Sequence, residues 1–133
     1  MKTEQLTLGG LISLLEKQPQ TNHIEFDFCW SYPKGLCSWR GSYDILAIVV
    51  SFYGYGVPVD KPEDRPTVDS FIKVLKDAVG KSFEGWGNGE FRMDENTPLY
   101  ITTHWGNSCN TAPIGVAQTG YDVTMITTAH IDY

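Results

Sequence analysis

Residues 44–53 read DILAIVVSFY, and the fold turns on them. The run is apolar and β-branched throughout, which predicts a central strand covered on both faces. Such a strand is the middle of a sheet, so its flanks must supply neighbouring strands and covering helices. On the N-terminal side, Ile24, Phe26, Phe28 and Trp30 alternate with Glu25, Asp27 and Cys29, the pattern of a strand with one apolar face. Pro33, Gly35 and Gly41 then predict an irregular loop. Earlier still, Thr7 is a good N-cap, Leu8, Leu11, Ile12 and Leu15 recur at helical spacing, and Pro19 ends the pattern, giving a helix over 8–18.

On the C-terminal side, residues 54–66, GYGVPVDKPEDRP, predict a surface loop. Thr67 caps a second helix with a buried stripe of Val68, Phe71, Ile72, Leu75 and Val79. Asp69 lies in its first turn, and Gly80 is placed to end it. A glycine-rich stretch, GKSFEGWGNGEFRM, follows. Strands are then predicted from Thr97-Pro98 through Thr103, over 112–118, and from Tyr121 to Thr128. The order α-β-β-α-β-β-β-β defines an α+β fold. It implies a mostly antiparallel sheet of about five to six strands, with two amphipathic helices packed on one face.

The chain has 133 residues, the size of one domain spanning 1–133. It is 41% hydrophobic and 20% charged, with a net charge of −6 and a pI of about 4.9. An acidic chain of this kind is unsuited to tracking a nucleic-acid backbone, although a local basic pocket is compatible with it. Three cysteines, Cys29, Cys37 and Cys109, are too few and odd in number for a disulfide framework. The N-terminal segment lacks a signal-peptide layout, and the longest apolar run, Ile45–Val50, is far too short for a membrane span. The expectation is a soluble protein of a reducing cytoplasm.

Motifs for common chemistries are missing. His23, His104 and His130 with the three cysteines form no C-x-x-C, H-x-x-x-H or H-E-x-x-H pattern. His104 and Cys109 could supply half a zinc site, against the plainer reading of a turn histidine and a small buried thiol. No G-x-S-x-G elbow supports a serine nucleophile. Glu84, Glu90, Asp94 and Glu95 could serve acid–base work, yet carboxylates in turn-rich stretches are mostly solvated. Gly80-Lys81-Ser82 follows a helix instead of preceding one, so it is not a phosphate-binding loop.

The aromatic and basic residues are more informative. Phe26, Phe28, Trp30, Tyr32, Trp39 and Tyr43 crowd a short stretch that also holds Arg40. Phe26, Phe28 and Trp30 read as core. Trp39, Trp86 and Trp105 fall at predicted turns beside glycines, where an indole can offer a flat face for stacking. Arg40, Lys81 and Arg92 can give charge-assisted hydrogen bonds to phosphate. The competing reading is that Arg40 pairs with Asp44 and that GWGNG is a glycine-relieved bend.

Several pieces carry a resemblance: LTLGGLISLLEKQP, FDFCW, GLCSWRGSY, TVDSFIKVLKDAVGKSFEGWGNGEFRM and TPLYI with the strand IGV. Together they resemble a family of small, mostly uncharacterised proteins of bacteriophage genomes and prophages. The chain departs from the pattern at residues 54–66 and at Pro113. The resemblance implies a phage origin and an α+β fold, and it brings no catalytic residues. Small phage proteins of this kind often counter host defences, some as "sponges" for cyclic-nucleotide or cyclic-ADP-ribose signals.

Residues and resemblance together lead to one expectation. The chain is a non-enzymatic anti-defence protein that sequesters a small anionic, nucleotide-like immune signal as a homo-oligomer in the cytoplasm of the infected host. The expected contacts are Trp39, Arg40, Tyr43, Lys81, Trp86, Asn88, Arg92 and Trp105, with no metal and no cofactor. The alternatives are an inhibitor that occludes a host defence protein through residues 54–66 and exposed aromatics, or an enzyme that degrades the signal.

Overall fold

The computed structural model describes residues 5–28, 31–38, 46–52, 66–84, 90–103, 111–119 and 122–131. The fold is α+β. Its two helices are α1 (Leu8–Glu16) and α2 (Val68–Ala78). Its strands are β1 (His23–Phe26), β2 (Ser31–Ser38), β3 (Leu46–Phe52), β4 (Ser82–Glu84), β5 (Glu90–Arg92), β6 (Leu99–Thr103), β7 (Thr111–Thr119) and β8 (Val123–His130).

Both helices begin as the sequence predicts. The Thr7 side chain accepts from the Gly10 N–H at 3.1 Å. At α2, the Thr67 side chain accepts from the Ser70 N–H while Ser70 Oγ accepts from the Thr67 N–H, a reciprocal capping box. Two glycines open α1, which weakens it intrinsically by about 1 kcal/mol each relative to alanine. Tertiary contact explains Gly9: a Cβ there would come within 3.0 Å of Glu95, whose carbonyl accepts the Gly9 N–H at 2.9 Å. Helix α2 ends one residue sooner than its stripe suggested. Val79 is extended and 36% exposed, and Ala78 takes the last buried position. Gly80 follows with φ +80, the left-handed conformation that terminates helices.

The strands form two three-stranded mixed sheets, in the orders β1-β8-β7 and β2-β3-β6, and a two-stranded ribbon of β4 and β5. Three of the five ladders are antiparallel, and β1–β8 and β3–β6 are parallel. Residues 44–53 supply the central strand of one sheet as expected. Leu46, Ile48 and Val50 face the main core, and Ala47 is buried on the opposite side with Tyr100 and Ala112.

Two local expectations are corrected. Residues 31–38, read as a loop, form β2. Pro33 and Gly35 are accommodated because β2 is an edge strand with a bulge between them. The aromatic row also does not share one strand. Strand β1 stops at Phe26, and Phe28 turns back to stack on Phe26 with ring centroids 5.5 Å apart. Tyr32 is buried on β2, and Trp30 lies outside the described residues.

Leu6 bridges the two sheets. Leu6 donates its N–H to the Pro113 carbonyl of β7 at 2.9 Å and accepts from the Leu99 N–H of β6 at 3.1 Å. On one face of the joined sheets, both helices close a continuous core. Leu8, Leu11 and Leu15 of α1 and Val68, Phe71 and Leu75 of α2 meet Ile24, Ile48, Leu99 and Ile126. At its margin Thr124 Oγ1 accepts from Asn22 Nδ2 at 3.1 Å and donates to Gln18 Oε1 at 3.2 Å, while His23 Nδ1 is buried without a hydrogen-bond partner among the described residues.

Candidate functional site

The β4–β5 ribbon grows directly out of the end of α2. Gly80 reverses the chain, its N–H bonding the Met93 carbonyl at 2.7 Å, and the Met93 N–H bonds the Lys81 carbonyl at 2.9 Å. The ladder continues with Ser82 opposite Arg92, Phe83 opposite Phe91 and Glu84 opposite Glu90. Lys81 and Arg92, eleven positions apart in sequence, both lie at the ribbon's base and are exposed, at register positions that alternate in face, Arg92 opposite Ser82 and Lys81 opposite Met93.

Arg92 is held there by its own geometry. Its Nε donates to the Gly80 carbonyl at 3.1 Å. That bond places a cation at the C-terminal end of α2, where the helix dipole favours it. It uses one of the five guanidinium donors.

Beside Lys81 lies a notch of about 270 Å³, lined by Leu36, Val74, Asp77, Ala78 and Lys81. Its floor is apolar, and its rim carries one acid and one base. Sequence reasoning missed Leu36, Val74, Asp77 and Ala78. Leu36 was assigned to a loop, but Val74 left a signal. It is a large apolar residue between Lys73 and Leu75, off the buried stripe, and it is 41% exposed.

Of the eight expected contacts, Lys81 and Arg92 lie among the described residues, both at the base of the ribbon and on alternate faces of it. Trp39, Arg40, Tyr43, Trp86, Asn88 and Trp105 lie outside the described residues, as do His104 and Cys109. Trp86 and Asn88 fall in the five-residue segment joining β4 to β5, so chain connectivity alone ties them to the ribbon that carries Lys81 and Arg92.

A larger groove of about 560 Å³ runs past the start of α1, lined in part by Gly9, Gly10, Glu16, Lys76, Glu95 and Asn96. It is poorly suited to an anion. The amide groups at the start of α1 are already bonded: Leu8 to Thr97 O, Gly9 to Glu95 O, Gly10 to Thr7 Oγ1 and Leu11 to Thr7 O. Lys76 is paired with Glu16 at 3.3 Å. Of the carboxylates considered for acid–base work, Glu95 lines this groove, while Glu84 and Glu90 are register partners in the ribbon. Asp94 caps its own turn by accepting from the Asn96 N–H at 2.8 Å, and Asp94 and Glu95 are exposed.

Among the described residues, no three of His, Cys, Asp and Glu converge to hold a metal ion. Cys37 is half-buried, and desolvation pushes its thiol pKa above the ordinary value of 9.0. Among the described residues, no helix is long and apolar enough to cross a membrane.

Comparison with known protein families, with curated proteins and with solved structures finds no match to this chain.

Proposed function

We propose that the chain binds a small anionic, nucleotide-like ligand at the base of the β4–β5 ribbon and acts by holding it. The observation that supports this reading most directly is that the ribbon brings Lys81 and Arg92 to its base, with Lys81 lining the notch there. The apolar notch next to Lys81 suits the flat face of a base, and the cations suit a phosphate. Trp86 and Asn88, which lie between the two strands in sequence, are of the residue types that stack on a base and read its polar edge. With the resemblance to phage proteins, the ligand class is a host immune signal of the cyclic-nucleotide or cyclic-ADP-ribose kind, sequestered without being consumed.

Calorimetric titration tests this against cyclic di- and trinucleotides and cyclic ADP-ribose isomers. Binding is expected for at least one. Arg92→Ala is expected to weaken it by roughly ten- to a hundredfold, the worth of one charge-assisted hydrogen bond of about 1.5–3 kcal/mol. No heat with any of them refutes the reading. Ligand recovered chemically altered after heat denaturation would show an enzyme instead.

A further inference from the structure

Among the described residues the two sheets leave four edge strands, and three of them carry protection over at least part of their length. Along β1, the Ile24 N–H is taken by the Pro66 carbonyl at 3.1 Å, His23 bridges to Thr67, and Glu25 adds a charge. Strand β2 carries Pro33, Lys34 and a bulge. Strand β6 is covered at its start, where the Leu99 N–H bonds the Leu6 carbonyl and Thr7 bridges to Pro98. Each is a known device against edge-to-edge association.

Strand β7 is different. Its sequence, TAPIGVAQT, contains no charged residue. Its first half is protected by Pro113, by the Leu6 N–H on the Pro113 carbonyl, and by the bulge between Pro113 and Gly115. Its second half has none of these.

The hydrogen-bond phase of that second half follows from β8. On β8, the Asp122 carbonyl accepts from the His23 N–H at 2.7 Å and the Ile126 carbonyl accepts from the Asp27 N–H at 3.2 Å. Residues 122, 124 and 126 therefore direct their backbone groups toward β1. Because that direction alternates along a strand, Val123, Met125 and Thr127 bond β7. Their register partners are Thr119, Ala117 and Gly115. Val116 and Gln118 are left with N–H and C=O pointing out of the sheet, and neither has a hydrogen-bond partner among the described residues.

We propose that the chain forms a two-fold dimer by antiparallel pairing of the Gly115–Thr119 edges of β7. The occupant is a second copy because the edge is complementary to itself. With the axis at Ala117, Val116 of one copy exchanges both backbone hydrogen bonds with Gln118 of the other, and the symmetry repeats the exchange. Charge allows the contact, since two acidic chains meet there on uncharged strands. Registers shifted toward the N-terminus run into the bulge and Leu6. The product is one six-stranded sheet, β1-β8-β7 continuing into β7-β8-β1 of the second copy.

The test is light scattering on the full chain across micromolar to millimolar concentrations, with two variants. The wild type is expected to reach twice the chain mass of 14.9 kDa. Gln118→Pro removes only an outward N–H, so it is expected to keep the far-ultraviolet spectrum while staying monomeric. Ala117→Cys, whose partner across the axis is the same residue in a non-hydrogen-bonded pair, is expected to form a disulfide-linked dimer under oxidation that the wild type does not form. A wild type monomeric at every concentration overturns the proposal. So does a dimer that survives Gln118→Pro without the Ala117→Cys cross-link. Unfolding of Gln118→Pro overturns it as well, since the Gln118 N–H would then be serving the β8 ladder.

Discussion

Replacing Gly80 by alanine probes the turn that positions the candidate site. Gly80 holds φ at +80 just beyond α2. A residue with a side chain pays about 1–2 kcal/mol for that left-handed conformation. Alanine also restricts the unfolded chain, which returns about 0.4–1 kcal/mol. Sterics add little: the new Cβ would lie 3.6 Å from Arg92 Nη2, an ordinary van der Waals contact. The net loss is therefore about 1 kcal/mol. In a chain of this size it lowers the melting temperature by roughly 3–5 °C. Gly80→Asn, which tolerates the left-handed region, is expected to lose clearly less. Thermal and urea unfolding followed by circular dichroism measures both, with an unchanged urea slope marking a pure stability effect. The reasoning fails if Gly80→Ala melts with the wild type, or if the asparagine variant is as damaged as the alanine one. Because the Gly80 carbonyl anchors Arg92 Nε, the same variant should also weaken ligand binding under the proposed function.

Three further outcomes follow from single interactions. Thr67→Ala removes the acceptor for the Ser70 N–H and breaks the capping box, with an expected loss of about 1 kcal/mol in urea unfolding. Leu6→Pro deletes the donor to the buried Pro113 carbonyl and should cost about 1–3 kcal/mol more than Leu6→Ala, read from the same unfolding curves. Burial raises the Cys37 pKa above 9.0, so the folded state favours the neutral thiol. Its contribution is complete below pH 9.0 and is lost as pH rises through the folded value. The stability difference between wild type and Cys37→Ala should therefore be flat below pH 9.0 and shrink above it.

Much of this fold is legible locally, and the illegible part is pairing between distant segments. Thr7 and Thr67 announce their helices because capping is a short-range hydrogen bond, and residues 44–53 announce a central strand because burial on both faces demands apolar residues throughout. Nothing local says that β1 pairs in parallel with β8, about a hundred residues away, or that β3 pairs in parallel with β6. Turn signals favour neighbours in sequence, so the mostly antiparallel α+β fold was legible, with three of five ladders antiparallel, while the two parallel ladders and the division into two sheets were not. The loop reading of 31–38 failed for a related reason. Pro33 and Gly35 exclude a central strand, but an edge strand with a bulge tolerates both, and edge position is a tertiary property.

The candidate site divides along the same line. Lys81 and Arg92 could be picked out as phosphate-binding types, but their proximity depends on the ribbon register, which no spacing rule gives across eleven residues. Val74 shows how such a site can still leave a trace. A helix whose buried stripe is complete has no need of a valine on its outer face, and α2 already buries Phe71, Ile72, Leu75 and Ala78. Val74 therefore has to be explained by what lies outside the helix. The notch it shares with Leu36 and Lys81 supplies that explanation without calling on the core. If the notch is where a ligand's flat face rests, Val74→Ser should weaken binding while leaving unfolding within about 0.5 kcal/mol of wild type, as expected of an exposed position. A stability loss larger than that, with binding intact, would return Val74 to the core and remove the apolar half of the proposed site.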